Sequence, residues 1–124
     1  MSQPTISIIT ICYNRVSDIS LTLQSVANQT IRPYEVIVVD NGSTDETSKV
    51  GEYYRKKYDY KFIVNRKNLG MIPNWNKALK LATGNYICLL HSDDLIAPDW
   101  HDTWIKTIAK HKADFYTSAI AIIN

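Results

Sequence analysis

Short runs of mostly β-branched, apolar residues recur along the chain, and each is separated from the next by a stretch with helical spacing. The runs are Ile6–Cys12 (ISIITIC), Tyr34–Asp40 (YEVIVVD), Lys61–Val64 (KFIV) and Tyr86–Leu90 (YICLL), and Asp114–Ile123 (DFYTSAIAII) reads as a last one. Continuous apolar runs of this length fit parallel strands covered on both faces, although buried helix leaves the same periodicity. The intervening segments carry the other rhythm. Ile19, Leu23, Val26 and Ala27 share one helical face, with Ser17 or Asp18 placed to cap its start. Ser43 followed by Glu46 predicts a capping box opening a second helix that ends near Lys57. Pro73 suits the first turn of a third helix and Gly84 its end. Pro98 opens a fourth, whose positive end faces Asp99 and Asp102 and along which Trp100, Trp104 and Ile108 recur every four residues. The order β-α-β-α-β-α-β-α-β predicts an α/β fold: a mostly parallel sheet with helices on both faces and right-handed crossovers.

At 124 residues, with no internal repeat, low-complexity tract or linker, residues 1–124 are expected to form a single domain. Composition narrows the class of function. Hydrophobic residues at 45% and charged residues at 21% exclude a disordered chain. No apolar run approaches the roughly 18 residues that a membrane span requires, and no secretory signal opens the sequence. Fourteen Lys and Arg against 12 Asp and Glu leave a net charge of +2, too balanced for a nucleic-acid binder. Cys12 and Cys88 sit inside apolar runs, which predicts reduced, buried thiols and a cytoplasmic protein.

In open α/β sheets ligands bind beyond the carboxyl ends of the strands. That rule selects Cys12-Tyr13-Asn14-Arg15, then Asp40-Asn41-Gly42-Ser43-Thr44-Asp45, then His91-Ser92-Asp93-Asp94. Adjacent carboxylates such as Asp93 and Asp94 repel unless a cation or a proton relieves them. Hard oxygen ligands suit Mg²⁺ or Mn²⁺ bridging to phosphates, and the same pair equally caps the turn before Pro98. Asp40 ends the most apolar run, as an acceptor for a ligand's N–H or hydroxyl or as part of an Asp-Asn-Gly-Ser turn. Tyr13 offers a ring for a base to stack on, or for ordinary packing. No Gly-x-Gly-x-x-Gly or Gly-Lys-Ser/Thr phosphate loop is present. His91, His101 and His111 are spaced for neither a helical metal pair nor a zinc finger, and His101 and His111 read as surface helix residues. The Trp100/Trp104 stripe reads as core, and Arg55-Lys56-Lys57 as a solvated helix end.

In order, these pieces resemble the Rossmann-like, nucleotide-sugar-binding half of a family-two glycosyltransferase with the GT-A fold. The resemblance rests on Ser7–Arg15 (SIITICYNR), Val36–Asp45 (VIVVDNGSTD) and Asn68-Leu69-Gly70 leading into Asn74–Leu79 (NWNKAL). Ala82–Ile87 (ATGNYI), Leu90–Asp94 (LHSDD) and Pro98 complete it. It implies a nucleotide site in which Tyr13 lies against the base, the backbone around Ile11 and Asn14 lines the pocket, and Asp40 accepts a hydrogen bond from the base, most often uracil. Asn68, Gly70 and Asn76 would flank the nucleotide and pyrophosphate, with Ser92 beside them. Asp93 would hold Mn²⁺ or Mg²⁺ against the diphosphate as the acid of an Asp-x-Asp motif, with Asp94 as its neighbour in the metal site.

The implied reaction is transfer of a sugar, with inversion, from a nucleotide-diphosphate donor such as a UDP-sugar to a glycan or lipid-linked acceptor. The resemblance also allows the intact enzyme a place at the inner face of a membrane. Two departures stand out. His91 replaces an acid common among relatives, and no candidate catalytic base is present in the chain. The chain therefore reads as the donor-binding portion without the acceptor-binding part, and self-association is expected through the face so left open. The alternative is a catalytically silent nucleotide-binding module. A response-regulator receiver domain is excluded, because Cys12-Tyr13-Asn14 stands where that fold needs an acidic pair.

Overall fold

The computed structural model describes residues 2–118 together with 121 and 122. Four strands alternate with four helices: β1 (Ile6–Cys12), α1 (Val16–Ala27), β2 (Glu35–Asp40), α2 (Thr47–Tyr58), β3 (Lys61–Val64), α3 (Met71–Leu81), β4 (Tyr86–Leu89) and α4 (Trp100–Lys110). The sheet order is β3-β2-β1-β4 and every pairing is parallel. Cys12 is in register with Asp40, and Asp40 with Val64, so the carboxyl ends of β1, β2 and β3 finish level along one edge. The expected α/β class and helices on both faces are what the chain forms.

The two faces are covered unequally. Ile6, Ile8, Val36 and Val38 pack against Ile19, Leu23 and Val26 of α1, Tyr54 of α2, and Ile105 and Ile108 of α4. Trp100 and Trp104 join this cluster, as a core stripe should. On the other face Ile9, Ile37 and Val39 meet Ala78 of α3 alone, with Trp75 and Leu79 beside it. Ile87 and Leu89 are in register with Ser7 and Ile9, yet lie 43% and 52% exposed, because α3 does not extend over β4.

Several local expectations give way to competing bonds. Ser17 and Asp18 do not cap α1: its cap position is Arg15, and both lie inside the first turn, where Asp18 faces the positive helix end. The capping box does not form. Ser43 bonds instead to Asp40, and α2 begins only at Thr47, whose amide donates to Asp45 Oδ1 at 2.9 Å. The third helix ends at Leu81 rather than at Gly84. Gly84 answers to a close approach, since a Cβ there would stand 2.7 Å from Ser7 Oγ and 2.8 Å from Ser7 N. His101 is buried, 4% exposed, and not a surface residue. It sits on the inward face of α4 with Ile105 and Ile108, where burial pushes its imidazole pKa down. No strand forms among the described residues of 114–122; the rest of the expected fifth run lies outside the described residues. Phe115 and Ile122 are 82% and 89% exposed, so no sheet neighbour covers them. Among the described residues no helix is long and apolar enough to cross a membrane.

Candidate functional site

Asp40 is the centre of the carboxyl-end edge. It closes β2 with no solvent exposure, and its Oδ1 accepts two bonds from Ser43, from the amide at 2.9 Å and the hydroxyl at 2.6 Å. Its Oδ2 is buried and has no partner. A buried carboxylate oxygen without a donor is costly, which makes this atom a candidate acceptor for an N–H or O–H from outside the chain. The Asp-Asn-Gly-Ser stretch is closed by the Asp40 side chain rather than by a backbone turn, and that closure uses only one of the two oxygens.

The turns after β1 and β2 are tied together by Asn14. Its backbone is left-handed, φ 50°, a conformation that Asn tolerates. From there Oδ1 accepts from the amides of Thr44 at 2.8 Å and Asp45 at 3.3 Å, while its own amide donates to Ser43 Oγ at 2.9 Å. Arg15 N adds a bond to Thr47 Oγ1 at 3.0 Å. Tyr13, between these anchors, is 43% exposed and presents its ring at the edge. Ile11 is half-buried on the α3 side of β1. Cys12 is buried beside them, and burial first, then the charges of Asp40 and Asp45, push its thiol up to about 12. Cys88 is likewise raised to about 12 by burial, and both cysteines are free.

A lattice of asparagines fixes the third loop, and sequence reading missed most of it. Asn41 Oδ1 accepts from Asn65 Nδ2 at 3.0 Å and from Leu69 N at 2.9 Å; its Nδ2 donates to Asn68 Oδ1 at 2.9 Å and to Gly70 O at 3.3 Å. Gly70 N closes the loop onto Asn68 Oδ1 at 2.8 Å. Asn65 also reaches Asn74 Oδ1 at 2.8 Å and accepts from Lys77 Nζ at 2.6 Å. The loop lies so close to the β2 turn that a Cβ on Gly42, φ 79°, would meet Lys67 C at 2.9 Å. The available signal was position: Asn65 directly follows the third apolar run, as Asn41 does the second. Asn68 and Gly70 thus belong to the edge, whereas Asn76 sits exposed on α3, two residues beyond the buried Asn74.

The fourth loop stands apart. Asp94 N bonds to His91 O at 3.1 Å in a tight turn, and Asp93 and Asp94 are exposed, with no side-chain bond to the rest of the described residues. Ser92 is half-buried between them and His91. His91 meets Trp75 of α3 edge-to-face, ring centroids 5.6 Å apart. Among the described residues no three His, Cys, Asp or Glu side chains converge as a metal cage. Two free carboxylates fit instead an ion whose remaining ligands are water and phosphate oxygens. Two clefts, of about 320 and 290 Å³, lie away from this edge, one between α1 and α2 and one below the end of α2.

Comparison with known proteins matches this chain to a family. The family described as "Glycosyl transferase family 2" matches residues 7–124. The poly(ribitol-phosphate) beta-glucosyltransferase of Bacillus spizizenii is 33% identical over 123 residues, which are 96% of this chain and 19% of that protein. S. aureus TarS 1-349 in complex with UDP-GlcNAc superposes with a TM-score of 0.83 and 34% identity, covering 89% of this chain and 32% of TarS. The mannosyltransferase PcManGT from Pyrobaculum calidifontis, in complex with GDP-Man and Mn²⁺, gives a TM-score of 0.73 and 25% identity over 87% of this chain and 32% of the other. The chain spans only 16–34% of the length of the curated relatives it matches.

Proposed function

The chain belongs to glycosyl transferase family 2, and on that premise we propose that residues 1–124 supply the donor-binding part of a glycosyltransferase. The enzyme moves a sugar from a nucleotide diphosphate, UDP in the first instance, to a glycan or lipid-linked acceptor at the cytoplasmic side of the cell. The observation that carries this reading is the buried, partnerless Oδ2 of Asp40 at the level carboxyl edge of the sheet. Uracil N3–H is a donor of the right kind for it, and the exposed ring of Tyr13 lies one residue beyond Cys12, the register partner of Asp40.

In this reading Asn14 does not touch the nucleotide through its side-chain oxygen, which is committed to Thr44 and Asp45; it holds the base pocket closed on one side. Asn68 and Gly70, fixed by Asn41, shape the wall facing the ribose and pyrophosphate. Asn76 is available to solvent and to a donor, and Ser92 lies on the turn that carries the acids. Asp93 and Asp94 would hold Mn²⁺ or Mg²⁺ against the donor diphosphate. Such an ion supplies charge neutralisation as the leaving diphosphate develops negative charge. Direct displacement at the anomeric carbon then inverts it, and the acceptor hydroxyl needs a base on the opposite face of the sugar. No residue of this chain is assigned that role. The β4 edge, without a strand partner among the described residues and flanked by exposed Ile87 and Leu89, is the surface through which the chain is proposed to self-associate.

Calorimetric titration of UDP into the chain, with Mn²⁺ and then with a chelator, tests the proposal. Saturable binding that weakens on chelation and in Asp93→Ala is the expected result. A folded chain that binds no uridine or guanosine nucleotide in either condition would overturn it. Binding without sugar transfer in an acceptor assay would instead favour the silent nucleotide-binding module.

A further inference from the structure

Between Tyr60 and Ser92 the sequence holds no Asp or Glu, but it holds Lys61, Arg66, Lys67, Lys77 and Lys80. Two of these cations are engaged: Lys61 pairs with Glu35, and Lys77 bonds to Asn65 Oδ1. Arg66, Lys67 and Lys80 are exposed and make no ion pair among the described residues. The same stretch exposes three large apolar side chains where the β3–α3 loop enters α3: Leu69 at 38%, Met71 at 65% and Ile72 at 69%. The basic run of α2 differs in its pairing. Arg55 and Lys56 of α2 share Glu52, and Lys57 is held by Tyr53.

We propose that the β3–α3 loop and the first turn of α3 form a docking surface for an anionic lipid bilayer, Arg66 and Lys67 meeting the headgroups while Met71 and Ile72 enter the interface. Charge complementarity selects this occupant. Unpaired cations beside protruding apolar side chains, with no acid in the whole stretch, match a surface that is negative outside and hydrocarbon beneath. The loop is anchored to do this without deforming, since Asn41 and Asn68 hold its base at Leu69 and Gly70. It also lies on the carboxyl-end edge, so docking would bring the strand-end site close to the membrane. The proposal stands whether or not the nucleotide reading holds.

Cosedimentation of the full chain with vesicles tests it, comparing phosphatidylcholine alone with phosphatidylcholine containing phosphatidylglycerol, at low and high salt. Binding only to the anionic vesicles, lost at high salt, is expected. Arg66→Glu with Lys67→Glu should weaken it at least about twentyfold, at roughly fivefold for each cation removed. Met71→Ser with Ile72→Ser should weaken it too, while Lys56→Glu with Lys57→Glu should leave it near wild type. All six positions are exposed, and circular dichroism confirms that each variant folds. No binding to anionic vesicles, or binding lost equally in the α2 variant, overturns the proposal.

Discussion

Glu35 and Asp40 stand at opposite ends of the same strand, both buried acids, and they are treated in opposite ways. At the amino end every oxygen of Glu35 is used. Its Oε1 accepts from Ser7 Oγ at 2.6 Å and Thr83 N at 2.8 Å; its Oε2 accepts from Thr83 Oγ1 at 3.1 Å and from Lys61. Ser7 in turn accepts from Gly84 N at 2.8 Å, which locks the start of β4 to β1 and β2. At the carboxyl end Asp40 keeps one oxygen idle in the dark of the core. A buried acid that is fully bonded is a structural clamp; one left half-bonded costs stability unless a donor from outside the chain completes it.

The sharpest way to break this contrast is Asp40→Asn. The substitution keeps an acceptor for Ser43 and replaces Oδ2 with an N–H, so a donor on the base meets a donor. UDP affinity should fall about 100-fold, whereas unfolding free energy should stay within about 1 kcal/mol of wild type or rise. Isothermal titration and urea denaturation report the two quantities separately. A variant that binds UDP normally would remove the site from Asp40.

Glu35→Ala should give the mirror image. It strands Ser7, Thr83 and a lysine that still reaches water, with Lys61 about half exposed, so a loss of about 2–3 kcal/mol is expected with UDP affinity preserved in the folded fraction. The acid dependence gives an independent handle. Burial alone would raise the Glu35 pKa, but bonds from Lys61, Ser7 and Thr83 outweigh it and hold the carboxyl at about 2 against an ordinary 4.5. The stabilisation is therefore complete above pH 4.5 and is lost as pH falls from there through about 2. Urea midpoints should decline across that window, and less steeply in Glu35→Gln.

The asparagine lattice should respond at both ends of the scale but less strongly at each. Asn65→Ala removes bonds to Asn41, Asn74 and Lys77, in a site where Asn74 Nδ2 is already without a partner. A loss of about 1–2 kcal/mol and a several-fold weaker UDP affinity are expected, since the wall at Asn68 and Gly70 loosens without losing a ligand contact.

What was legible in the sequence follows the same division. Strand positions were readable because parallel strands covered on both faces must be apolar throughout, and β1 and β3 fall on the very residues their runs mark. The strand-end rule then singled out Asp40, Asn14 and the acids of the fourth loop. Capping was not readable, because local propensity cannot see that Ser43 has a stronger acceptor in Asp40 than in its own helix. Neither Glu35 nor Asn65 was singled out, since each draws its partners from 9 to 48 residues away. His101 misled for a related reason: a histidine among charged neighbours looks exposed until its long-range partner is known, here Gln29, 72 residues away, whose Oε1 accepts from the His101 amide.

Cys12 gives the finest test, because it sits beside Asp40 and registers its charge. Burial is the larger reason that its thiol is raised to about 12, with the charges of Asp40 and then Asp45 adding to it. Native Cys12 should thus resist a thiolate-selective reagent at pH 8 and react fully only on unfolding. Removing the Asp40 charge takes away one of the lesser causes, so Asp40→Asn should speed native labelling modestly, by several-fold at most. Cys88, raised by burial alone, should show no change in the same experiment. If both cysteines accelerate together, Asp40→Asn has opened the core, and its effect on UDP would no longer isolate the idle oxygen. If Cys12 alone accelerates, the core has stayed closed and the effect belongs to the contact between Asp40 and Cys12, so the loss of UDP affinity in Asp40→Asn isolates the idle oxygen.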